Sequence, residues 1–196
     1  TTEAAISTMA KHRDWCVLSG RGFALTELMA TLSVSAILLA ASVPTFSQVM
    51  VSSRLTAYAN DMFATLVLAR SEAIKRNQRV VLCKSSDDGQ TCAGTGGWDR
   101  GWIVFVDLDN DANRAASELI VRKMPALPNG YTLNGNASIS SYVSYDTQGA
   151  TKLASGAFQA GTFTLCPPAP AASGQGRKIV ISASGRSRVS KITSCA

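Results

Sequence analysis

Arg186 and Arg188 stand two residues apart in Gly185-Arg186-Ser187-Arg188, near the end of this 196-residue chain. In an extended strand, residues two apart share a face, so the two guanidinium groups project together. Their planar forks match phosphate oxygens, and Ser184, Ser187 and Ser190 can add hydrogen bonds. From Arg177 to Ala196 there are five basic residues (Arg177, Lys178, Arg186, Arg188, Lys191) and no acidic one. Gly185 allows a tight turn ahead of the pair. The chemistry on offer is sequence-independent attraction of a phosphate-rich polyanion. The plainer alternative is a basic edge strand that prevents unwanted sheet pairing.

A second reactive feature is a lone carboxylate. Glu27 is the only charge between Phe23 and Ser53, in an otherwise apolar run. Phe23 to Val43 is about 21 residues, roughly 31 Å as a helix, which is membrane length. An ionised side chain in such a segment is costly and marks a functional position. Four cysteines follow (Cys83, Cys92, Cys166, Cys195), with a fifth, Cys16, ahead of Gly22. Four cysteines in an exported domain read as two disulfides. Of the three pairings, Cys83–Cys92 and Cys166–Cys195 are preferred because each closes a local loop between strand ends. Neither pair has zinc-ribbon spacing.

Other chemistry is excluded or weak. The one histidine, His12, also precedes Gly22, so the rest of the chain lacks the base of a Ser-His-Asp or Cys-His site and any histidine metal ligand. No phosphate-binding glycine loop or nucleophile elbow is present, and no enzyme and no cofactor are expected. Asp107 to Glu118 nearly spells an EF-hand loop, with acids at its first, third, fifth and twelfth places. Ala112 fills the sixth place, which wants glycine, and the flanks are strand-like. The segment reads as an acidic hairpin loop; a weak calcium site outside the EF-hand class is the alternative.

Three regions position these residues. Residues 1–22 form a short basic, polar segment, 23–50 an apolar helix, and 51–196 a globular domain. Pro44 is expected to kink the helix. Beyond it Leu55, Ala59, Met62, Phe63, Leu66, Ala69 and Ala73 recur at helical spacing, an amphipathic helix on a core that ends near Arg76. Arg70, Lys75, Arg76 and Arg79 near its end complement the helix dipole. Strands are predicted at 78–84, 101–107, 118–124, 141–145, 161–166, 177–183 and 188–192, with loops at 129–141 and 167–176. A helix followed by antiparallel strands is an α+β architecture.

Gly22-Phe23, Glu27 and the apolar tail resemble the prepilin signature of type IV pilins and type II secretion pseudopilins. The resemblance implies cleavage by a prepilin peptidase between Gly22 and Phe23, methylation of Phe23, and a helix retained in the inner membrane before assembly. It makes Glu27 the residue that neutralises the freed amine during docking with other pilins. Processing would leave 16 basic and 11 acidic residues, a net charge of +5. Leu82-Cys83 through Cys92, then Trp98-Asp99-Arg100-Gly101-Trp102 through Asp107, resemble the minor pilins FimT and FimU and the pseudopilin GspH. That family implies a long helix, half membrane-embedded and half amphipathic, packed on a small two-sheet antiparallel domain. Gly185-Arg186-Ser187-Arg188 resembles the Gly-Arg-x-Arg motif of FimT proteins that bind double-stranded DNA in natural transformation. The implied function is DNA capture at a pilus. The alternatives are a purely structural minor pilin and a type II secretion pseudopilin.

Overall fold

The computed structural model describes residues 24–86, 88–169 and 175–195. Gly22 and Phe23, the expected processing site, lie outside the described residues. The chain divides into two compact units, Thr1–Val43 and Pro44–Ala196.

One helix, α1, is assigned from Leu25 to Arg76 and includes Pro44. In the first unit Leu28, Met29, Leu32, Ile37 and Leu38 are exposed. Among the described residues no helix is long and apolar enough to cross a membrane. Three of this unit's hydroxyls bond within the helix: Thr31 donates to the Leu28 carbonyl (2.9 Å), Ser33 to Met29 (2.7 Å) and Ser35 to Thr31 (2.8 Å).

In the second unit Leu55, Ala59, Met62, Leu66, Ala69 and Ala73 alternate by three and four residues and are fully buried. That stripe is the helical side of the core. Phe63, expected with them, is only half-buried. The helix ends where Asn77 takes a left-handed φ of 53° and the Gln78 amide returns to the Ala73 carbonyl (3.3 Å).

Eight strands follow: β1 Arg79–Lys84, β2 Trp102–Asp107, β3 Ile120–Met124, β4 Thr132–Gly135, β5 Tyr142–Tyr145, β6 Gly161–Cys166, β7 Gly176–Ile181 and β8 Ser187–Ile192. They form two four-stranded sheets, ordered β3-β2-β1-β5 and β4-β6-β7-β8, and every pair is antiparallel. β4 corrects the expectation of a loop over 129–141. Only Leu133 of β4 turns into the core, so a short edge strand among Asn and Gly carries almost no alternation to detect. The segment also holds a 3-10 turn, Ala137–Ile139.

The helix stripe packs on the inner faces of both sheets, against Val80, Leu82, Val104 and Val106 on one side and Leu133, Phe163, Leu165, Ile179 and Ile181 on the other. Trp98 and Trp102 anchor this core. Trp98 donates its indole N–H to the Ile139 carbonyl (3.1 Å) and meets Phe163 edge-on (4.9 Å between ring centres). Trp102 donates to the Thr65 hydroxyl on the helix (3.3 Å). Buried indole nitrogens need such partners. Val81, Cys83, Ile103 and Phe105 on the back of the first sheet form a second small cluster with Ala112.

A basic hairpin at the edge of the second sheet

β7 and β8 are joined by residues 182–186, in which the Ser182–Arg186 pair encloses a three-residue turn. The Ser182 amide donates to the Arg186 carbonyl (3.0 Å) and the Gly185 amide to the Ser182 carbonyl (2.8 Å). Gly185 closes the turn at φ 77°, the left-handed position this hairpin type requires. It is doubly constrained, because a Cβ there would lie 1.9 Å from the Gly149 carbonyl oxygen. The tip is therefore pinned against the loop after β5. Thr151 adds its amide to the Ala183 carbonyl (3.1 Å) and its hydroxyl to the Ser182 carbonyl (3.0 Å).

Register then assigns a face to each cation. Arg177 pairs with Lys191, Lys178 with Ser190, Ile179 with Val189 and Val180 with Arg188. Ile179 and Ile181 are buried inward, so Lys178, Val180, Arg188 and Ser190 turn outward, and Arg186 continues the Arg188 face by alternation. Arg186 and Arg188 are exposed and Lys178 half-exposed. Among the described residues none of the three has an ion pair or side-chain hydrogen bond.

Two of the five expected cations do not join them. Arg177 is buried at 3% exposure, facing the helix, where it donates to the Ser52 hydroxyl (3.1 Å), the Thr56 hydroxyl (3.0 Å) and the Gly176 carbonyl (3.0 Å). Inward alternation placed it there, and it fastens β7 to α1 instead of meeting a ligand. Lys191 is exposed but opposes Arg177, on the inward-facing side of the edge strand. The outward set is Lys178, Arg186 and Arg188.

Sequence reasoning missed the neutral residues beside them. Thr162 and Thr164 of β6 and Thr132 and Asn134 of β4 turn outward, since Phe163, Leu165 and Leu133 are buried inward. The alternation in Gly161–Cys166 held that signal.

The two disulfides join the expected pairs. Cys83–Cys92 closes the loop after β1, and Cys166–Cys195 ties the tail to the end of β6, with Cα atoms 5.6 and 5.9 Å apart. At the end of the helix, Lys75 and Arg76 pair with Glu72, and Arg79 donates to the Asn110 and Leu153 carbonyls. Glu27 is exposed.

The acidic β2–β3 loop brings Asp107, Asp109 and Glu118 oxygens within 4.8 Å of one another. Asp107 and Glu118 are buried, and each accepts two backbone amides: Asn110 and Ala112 on Asp107, Leu108 and Ala115 on Glu118. Ala112 takes φ 62°, the left-handed place that glycine holds in an EF-hand loop. Burial, with Glu118 adding a smaller push, drives the Asp107 pKa up against the pull of those amides.

A helix laid on two antiparallel four-stranded sheets, with a disulfide-tied tail, defines a pilin-like α+β subunit. The chain belongs to the GspH family: residues 58–185, more than half of its length, match the model for Type II transport protein GspH. Two crystal forms of the Pseudomonas aeruginosa type IV minor pilin FimU share the fold, each with a TM-score of 0.53 and 20% identity. The alignments cover 74% of this chain and 97% of FimU in one form, and 72% and 100% in the other. The minor pseudopilin EpsH of the Vibrio cholerae Type 2 Secretion System aligns at 14% identity and a TM-score of 0.43, over 69% of this chain and 95% of its own. No curated protein sequence matches the chain.

Proposed function

We propose that this GspH-family subunit is a minor type IV pilin of the FimT kind that binds extracellular double-stranded DNA through its β7–β8 hairpin for uptake in natural transformation. The observation that carries the reading is the outward pair Arg186 and Arg188, exposed and unpartnered among the described residues, with Lys178 on the same face. An arginine fork meets a phosphate bidentately and reads no base there, so binding is sequence-independent. Three outward cations give a slope of log K against log salt of about −2.7. A single subunit binds in the non-specific range, ~10⁻⁴–10⁻⁶ M at physiological salt, and several copies raise avidity.

The N-terminal unit supports delivery. Its exposed apolar side chains, with the Thr31, Ser33 and Ser35 hydroxyls bonded within the helix, suit a helix bundle with other pilins. Prepilin peptidase would cut between Gly22 and Phe23, and Glu27 would neutralise the freed amine in that apolar setting. The protein would pass from the inner membrane to the pilus. The family match favours a second reading, a pseudopilin of type II secretion or a structural minor pilin without DNA contact.

Titration of a fluorescent 30-base-pair duplex with the full chain in nonionic detergent separates the two. The wild type should bind with the stated slope, and Arg186→Gln with Arg188→Gln should lose binding while circular dichroism stays unchanged. Equal affinity in the double variant, or no wild-type binding at 50 mM salt, would leave only the second reading.

A further inference from the structure

We propose that the outer face of the second sheet is a bed for one strand of the DNA backbone, on which Thr162, Thr164, Asn134 and Ser190 donate hydrogen bonds to phosphate oxygens between the cations. The inference rests on the hairpin being a DNA contact and extends that contact across all four strands.

Strand register draws the bed. Asn134 pairs with Thr164, Thr164 with Lys178, and Lys178 with Ser190, a single row crossing β4, β6, β7 and β8. The next row toward the tip runs from Thr162 through Val180 to Arg188. At a strand spacing of about 4.8 Å the first row spans roughly 14 Å. One DNA strand rises about 3.4 Å per nucleotide, so the row underlies about four nucleotides. Lys178 sits in its middle and Arg188 and Arg186 lie at its tip side. The side chains of Thr162, Thr164, Asn134 and Ser190 make no hydrogen bond among the described residues, which leaves their donors to solvent or a ligand. Asn134, Thr162 and Thr164 themselves line a concavity of about 470 Å³, which Thr132, Asn136 and Ser194 also edge.

Charge selects the occupant. From Asn129 to Ala196 the one acidic residue is Asp146, and it follows β5 of the other sheet, held by Lys152 at 3.0 Å. No strand of the second sheet contributes a carboxylate. Of its outward side chains only Val180, Ile192 and Cys166 are apolar, too few for a protein-docking core. The first sheet offers no equivalent face. Its back is covered by the loops after β1 and β2, joined by Arg114 donating to the Gln90 carbonyl (2.8 Å).

Neutral donors and cations leave different marks on salt dependence, which supplies the test. A cation releases counterions; a hydroxyl does not. With the full chain in nonionic detergent and the same duplex at 50, 100 and 200 mM salt, Lys178→Gln should flatten the slope by about 0.9. Thr162→Val with Thr164→Val should weaken binding about three- to tenfold at every salt and leave the slope unchanged. Valine keeps the β-branched shape, and Ser190→Ala on the edge strand, expected to cost about two- to threefold, serves as a second probe if that pair does not fold. Wild-type affinity in the threonine variant, or in Ser190→Ala should it take that variant's place, overturns the bed, whatever Lys178→Gln does. If Arg186→Gln with Arg188→Gln still loses binding in that case, the hairpin reading survives alone. No binding by the wild type removes both.

Discussion

The β2–β3 loop and the β7–β8 hairpin both connect antiparallel strands and both crowd like charge into a few residues, yet they use it in opposite directions. In the first, Asp107 and Glu118 turn inward and take four backbone amides, while Asp109 and Asp111 cap the amides of Asp111 and Asn113. A carboxylate is short and accepts only, and a turn supplies unused N–H groups within its reach. In the second, the guanidinium groups donate only, and the strand carbonyls nearby are largely engaged in the ladder. Outward arginines are left to solvent. Arg177 sharpens the lesson, because the same residue type in the same hairpin is fully engaged once it faces the helix. The face of the sheet decides whether a charge holds the fold together or is offered to a partner.

The largest expected effect comes from the covalent ties of the two regions. Reducing the 29-residue closure with Cys166→Ser and Cys195→Ser should cost about 3.5 kcal/mol, and the 9-residue closure with Cys83→Ser and Cys92→Ser about 2.7 kcal/mol, on loop-entropy grounds. Urea melts of the two double variants measure this, and the reverse order would break the argument. Next comes Arg177→Ala, which strips the helix contacts and should cost about 2–3 kcal/mol in the same melts. Its salt slope for DNA should stay at the wild-type value, as no outward cation is lost.

Smaller still is the contrast in pH dependence. Burial and Glu118 hold the Asp107 pKa above the ordinary carboxylate range, so the folded state keeps that proton longer than the unfolded chain. Stability from this group is present in acid and falls as pH rises through the ordinary range to the raised value. For Asp146, burial acts upward but is outweighed by Lys152 and the Ala150 and Gln148 amides, and its pKa lies low. Its contribution is present above the ordinary range and fades as pH falls through it. Melting temperatures between pH 3 and 6 should respond with opposite sign in Asp107→Asn and Asp146→Asn. The least effect is expected from Lys191→Gln: a DNA salt slope within error of the wild type, since Lys191 faces away from Arg188. A loss near 0.9 would merge the two faces into one site.

Much of this was legible in the chain. The three- and four-residue spacing from Leu55 to Ala73 dictated a helix buried on one side, because only that period aligns those side chains. Seven strands followed from β-branched runs between turn residues, and both cysteine pairings from local loop closure. Period-two alternation even fixed that Arg186 and Arg188 share a side. What the chain could not announce was which side. β4 has one buried residue and four positions in all, too little pattern to read. Arg177 and Lys178 are neighbours with equal charge, and only the packing of α1 against the second sheet made one a buried fastener and left the other outside. The row from Asn134 to Ser190 joins residues far apart in sequence, and inter-strand register alone brought them side by side. Local propensity is written residue by residue, whereas the face a charge occupies depends on what the sheet packs against.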